Sequence, residues 1–123
     1  YLSIDEDLAR YVDIARGHHK FYNGKGGYPN DFDNTVSPER FMIDIITVCD
    51  CLDAATDQYG RNYHQAKTTD EVLAEFKRDA GVRYNPDIVR FILQDEALRD
   101  TLREISGPRR LTIYYDTYKH YFM

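Results

Sequence analysis

The chain has 123 residues, 42 % of them apolar and 30 % charged, which fits one small globular domain and not a disordered or fibrous chain. Asp plus Glu number 21 against 16 Lys plus Arg, a formal charge of −5, and no basic tract runs through the sequence, which argues against binding a nucleic-acid polymer. The longest uncharged apolar stretch, Ile45 to Cys49, is far too short to span a bilayer, and no segment reads as a secretory leader.

From Leu2 to about Arg16 the spacing predicts a helix. Ser3 is its cap, Asp5 and Glu6 lie in its first turn, and Leu8, Tyr11, Val12 and Ala15 recur on one face. Gly17 weakens or ends it. Asn23 to Asn30 holds three glycines, a proline and two asparagines, so it reads as a turn-rich loop. Ser37-Pro38-Glu39-Arg40 is a helix start, with serine as cap and proline in the first position, and this helix runs to Ala55 or Thr56. Tyr59 to Tyr63 reads as loop. Thr68 or Thr69 opens a third helix that buries Val72, Leu73 and Phe76 and ends at Gly81. Asn85-Pro86-Asp87 starts a fourth, and Asp95 to Ile105 forms a fifth, stopped by Gly107-Pro108. The tail around Leu111-Thr112-Ile113-Tyr114-Tyr115 is β-prone in composition but suits a terminal helix equally.

The fold class expected is all-α, a helical bundle of about five helices. Residues 1–106 form the domain and residues 107–123 an aromatic-rich C-terminal extension. That extension, with Tyr114, Tyr115, Tyr118, Tyr121 and Phe122, is expected to pack on the domain or on a second copy, giving a homo-oligomer. Tyr84, Phe76 and Phe91 are expected in the core. Cys49 and Cys51 stand too close in sequence to bridge, so they are expected to pack as free thiols in a reducing, cytoplasmic setting. The first residue is Tyr1, which implies a longer parent protein.

The second helix draws attention to one carboxylate. Phe41, Ile45, Val48, Leu52 and Ala55 make an apolar stripe, while Ile43 and Ile46 lie on another side. At 100° per residue Asp50 falls between those two isoleucines. A helix apolar on nearly all sides is buried, so Asp50 is expected to be a buried carboxylate in need of a cation, donors or a proton. Asp53, one turn on, either shares that site or serves as a cap. Upstream, His18-His19 meets a glycine-rich turn, Gly24-Lys25-Gly26-Gly27, that ends in Tyr28-Pro29.

These motifs resemble the C-terminal half of the HD-GYP domain, a branch of the HD metal-dependent phosphohydrolases. His18-His19-Lys20 with Gly24-Lys25-Gly26-Gly27-Tyr28-Pro29 is similar to the family's second histidine pair and its Gly-Tyr-Pro turn. Lys20 stands where the family has Glu. Val48-Cys49-Asp50-Cys51-Leu52-Asp53-Ala54-Ala55-Thr56, then Arg61-Asn62-Tyr63-His64, are similar to its aspartate helix and arginine loop. Ala80-Gly81 through Asn85-Pro86 is similar to a later segment. The resemblance covers about residues 10 to 95.

The resemblance implies a helical fold and a centre of two or three iron or manganese ions in the complete domain. It implies hydrolysis of cyclic di-GMP, or of a related small phosphate ester, by a metal-bridging hydroxide. Carried over by position, it makes His18, His19 and Asp50 metal ligands. Tyr28 lines the nucleotide pocket, Arg61 holds a substrate phosphate, and His64 takes the place of a second basic residue. The family's remaining ligands precede this segment, so the resemblance implies a domain incomplete without an upstream half. The alternative function is a degenerate nucleotide-binding or protein-interaction module without turnover.

Overall fold

A computed structural model describes residues 2–57, 65–107 and 109–122. Over these it is all-helical. Six α-helices follow one another: α1 (Leu2–Gly17), α2 (Arg40–Thr56), α3 (Thr69–Arg78), α4 (Pro86–Gln94), α5 (Glu96–Ile105) and α6 (Arg110–Phe122). A short 3-10 turn, Asn34–Val36, precedes α2. None of the described helices is long and apolar enough to cross a membrane.

The helix starts obey their caps. The Thr68 hydroxyl accepts from the Glu71 N–H at 3.2 Å, Asn85 Oδ1 from Asp87 N–H at 2.9 Å, and Asp95 Oδ1 from Leu98 N–H at 3.0 Å. Each satisfies a donor that the first turn leaves unpaired. Ser37 Oγ accepts from Glu39 N–H at 3.1 Å, yet α2 begins only at Arg40, two residues beyond the expected Pro38.

The core gathers around α3. Val72, Leu73 and Phe76 meet Val48 and Leu52 of α2, Tyr84 before α4, and Val89 and Ile92 within it. Full burial of a side chain of this size contributes about 1.5–3 kcal/mol. Phe76 and Tyr84 pack edge to face, with ring centroids 4.6 Å apart.

Three sets of apolar residues stay outside this core. Leu8, Tyr11 and Val12 of α1 are exposed, so the apolar face expected there is uncovered. Phe41 and Phe91 are 65 % and 63 % exposed, against the expectation that both lie inside. The cause is geometric: α1 and α3 pack on α2, and α3 and α5 on α4, which leaves Phe41 and Phe91 on faces that none of the described elements covers. The tail resolves as a helix, and Tyr115, Tyr118, Tyr121 and Phe122 project from it without packing on the domain.

Both cysteines are free thiols. Cys51 is half-buried as expected, whereas Cys49 is exposed. α6 is anchored at its first residue, Arg110, which is only 4 % exposed. Its guanidinium donates to Asp53 Oδ1 at 2.6 Å, to the Asp53 carbonyl at 3.1 Å and to Thr56 Oγ1 at 2.9 Å. Asp53 is therefore the partner of Arg110 and not a member of the Asp50 site.

Candidate metal centre

Two residues of the turn that follows α1 and one of α2 define the site. α1 ends on Gly17, which lies against Ile43 of α2; a β-carbon there would sit 2.8 Å from Ile43 Cδ1. Only glycine permits this approach, because Ile43 is fully buried. The Thr47 hydroxyl, one turn along α2, lies 2.8 Å from the Ile43 carbonyl and 3.1 Å from the His18 carbonyl. It ties the end of α1 to α2. Asp50 follows Thr47 by three residues, on the same face. His18, His19 and Asp50 then each offer a ligand atom, and all three atoms lie within 4.8 Å of one another.

The burial of Asp50 differs from expectation. It is exposed, His19 is exposed and His18 is half-buried, so the site is open to solvent. The buried carboxylate of α2 is Asp44, 3 % exposed. Arg40 Nε donates to Asp44 Oδ2 at 3.3 Å and Asn85 Nδ2 at 2.9 Å. The signal for this pair was present in the sequence as an acid four residues after an arginine on an apolar helix.

His18 has a defined tautomer. Its Nδ1 lies 2.7 Å from the Ala15 carbonyl oxygen. A carbonyl only accepts, so Nδ1 is the donor in this contact, and Nε2 is the ring nitrogen left to face a ligand. A second partner that fixes the ring in this way is the usual support of a metal-binding imidazole. His19 is held by stacking. Its ring lies 3.8 Å from that of His18 and 4.6 Å from that of Tyr28, nearly parallel to the latter at 18°.

The glycine turn delivers Tyr28 to this position. Phe21 N–H donates to the Gly26 carbonyl at 3.0 Å and Tyr28 N–H to the His19 carbonyl at 3.3 Å, which folds the loop back on itself. Gly27 makes the crossing possible. Its φ is +79°, and a β-carbon there would lie 2.0 Å from the His19 carbonyl oxygen. The loop is also fastened from outside. Tyr22 and Asn23 N–H donate to the carbonyls of Arg83 and Val82, each at 3.0 Å. The Arg40 guanidinium sits 4.3 Å over the Tyr22 ring and donates to the Tyr22 carbonyl at 2.6 Å. Lys20 is 7 % exposed.

Two imidazoles and one carboxylate suit a first-row divalent ion such as iron or manganese. Neighbouring ligands of such an ion lie about 3 Å apart. Closure from the present spacing needs a small rotamer adjustment, which the exposure of His19 and Asp50 leaves free. Three donors are one ion's share. Arg61 and His64, the expected phosphate-binding residues, lie outside the described residues. Tyr28, expected to line a nucleotide pocket, stacks on His19.

Comparison with protein-family models, with curated proteins and with solved structures finds no match for this chain.

Proposed function

We propose that the chain is part of an HD-GYP-like metal-dependent phosphodiesterase acting on cyclic di-GMP or a related nucleotide phosphodiester. One observation carries this reading: ligand atoms of residues 18, 19 and 50, distant along the chain, lie within 4.8 Å of one another. The Gly-Tyr-Pro turn supports it by stacking Tyr28 on one of those ligands.

Each residue has a task in this scheme. His18, oriented by Ala15, presents Nε2 to the ion. His19 and Asp50 complete one three-donor set. Asp50 also brings the negative charge that favours a cation over neutral solvent. Tyr28, 62 % exposed, offers a flat face on which a nucleobase can stack, an interaction of about 1–3 kcal/mol. An ion bound here would supply Lewis-acid charge beside the phosphoryl group.

The test is a titration of the chain with Mn²⁺, followed by cyclic di-GMP. One Mn²⁺ per chain is expected, with at least tenfold weaker uptake in each of His18→Ala, His19→Ala and Asp50→Ala. Hydrolysis of the nucleotide that requires the metal supports the proposal. Binding without product gives the module reading instead. A chain that takes up neither Mn²⁺ nor nucleotide rules the proposal out.

A further inference from the structure

A second surface lies apart from the metal ligands. Between α2, α4 and α5 runs an open groove of about 480 Å³. Its walls are apolar, and Phe41 and Phe91 stand exposed along it. Among its described lining residues the one charged group is Asp87. The same chain carries an unpartnered apolar helix. On α6, Tyr115, Tyr118 and Phe122 fall at positions i, i+3 and i+7, one face of the helix. Tyr118 and Phe122 already stack, with centroids 5.2 Å apart. All three are more than half exposed, so α6 does not fill its own chain's groove.

We infer that the groove receives α6 of a second copy of this chain, and that the exchange is reciprocal. Three observations favour this occupant. The first is spacing: an i, i+3, i+7 set of large side chains is how an amphipathic helix enters an apolar groove. The second is charge: Lys119 lies in the last turn of α6, opposite in sign to Asp87 at the groove, which in the single chain pairs with the exposed Arg90 at 2.9 Å. The third is area. The three aromatics of this face at their observed exposure offer about 370 Å², and the two groove phenylalanines bring each chain to roughly 600 Å². Counted for both partners, about 1,200 Å² reaches the lower end of the range of specific stable interfaces. A reciprocal arrangement closes with twofold symmetry and leaves neither surface open. A helix of 13 residues is also marginal alone in water, and the partner's groove would stabilise it.

Sedimentation equilibrium of the intact chain tests the inference. A dimer is expected at micromolar concentration. Phe91→Asp in the groove and the double variant Tyr118→Ser/Phe122→Ser on α6 should each weaken it at least tenfold, with the chain still helical by circular dichroism and melting cooperatively at a somewhat lower temperature. Mixed one to one, these two variants should partly recover a heterodimer, because one helix-groove contact is intact in the pair. Cys49 lines the groove and is exposed, so with Cu(II)-phenanthroline and air as oxidant Tyr118→Cys should form an interchain disulfide that Cys49→Ser abolishes. A chain monomeric at several hundred micromolar overturns the inference. So does a dimer indifferent to Phe91→Asp, which would mean that α6 pairs with α6 instead.

Discussion

Gly17 and Ile43 meet so closely that the hydrogen of one stands where any side chain would strike the methyl of the other; a β-carbon at Gly17 would lie 2.8 Å from Ile43 Cδ1 and 2.9 Å from Cγ2. This contact sets the distance between the histidines at the end of α1 and Asp50 on α2. Gly17→Ala is expected to lower stability by about 1–3 kcal/mol through overpacking and to weaken Mn²⁺ binding several-fold. Adding Ile43→Val should return part of both losses, since the two sites touch. Thermal melts and metal titrations of the three variants measure this.

Two of the carboxylates of α2, Asp44 and Asp50, should respond in opposite ways. Asp44 is buried and shared between Arg40 and Asn85. Asp44→Ala leaves both donors short of their acceptor and is expected to destabilise by about 2–3 kcal/mol. Asp50→Ala removes an exposed group and should change stability by no more than about 0.5 kcal/mol, while abolishing metal uptake. Denaturant unfolding of the two variants, beside the titration, separates the roles.

Alkaline pH should act through the core. Burial, first, and the Cys51 side chain, second, push the Tyr84 hydroxyl above its ordinary value of 10.0. Burial also raises Cys51. In the folded state Tyr84 holds its proton more tightly than in the unfolded chain. Its contribution is therefore complete below pH 10 and declines as pH rises further. Tyr84→Phe should flatten that decline, leaving the neutral-pH stability within about 1.5 kcal/mol. Urea midpoints between pH 7 and 11 give the comparison.

Arg110 should govern whether α6 stays attached. Arg110→Ala removes contacts to Asp53 and Thr56 and is expected to cost about 1–3 kcal/mol. Asp53→Ala should cost less, because the Asp53 carbonyl and Thr56 still accept from the guanidinium. Hydrogen exchange in residues 110–122 reads the release directly.

Much of the fold was legible in short signals. Thr68, Asn85-Pro86 and Asp95 marked helix starts because capping is chemistry between neighbours in sequence. Val72, Leu73 and Phe76 were correct as core. What misled was α2. Its apolar residues point in nearly every direction, and the angular reading buried Asp50 on that basis. Which side is covered depends on where α3 and α4 come to rest, and periodicity within one helix carries no record of that. Phe41 and Phe91 were misplaced for the same reason. At the site, the convergence of His18, His19 and Asp50 came from a motif resemblance, while the Ala15 carbonyl and the Gly17 contact needed coordinates. α6 was undecided because its composition favours strands, yet no second strand is available among the described residues to pair with it.

The backbone bonds from Tyr22 and Asn23 to Arg83 and Val82 join two connections that lie sixty residues apart, roughly half the length of the chain. The Arg83 guanidinium reinforces the seam, 5.3 Å from the Phe21 ring and 5.2 Å from that of Tyr84. Loosening the turn between the third and fourth helices would thus slacken the loop that presents Tyr28 to His19, so the rim of the candidate site and the interior around Phe76 are mechanically continuous.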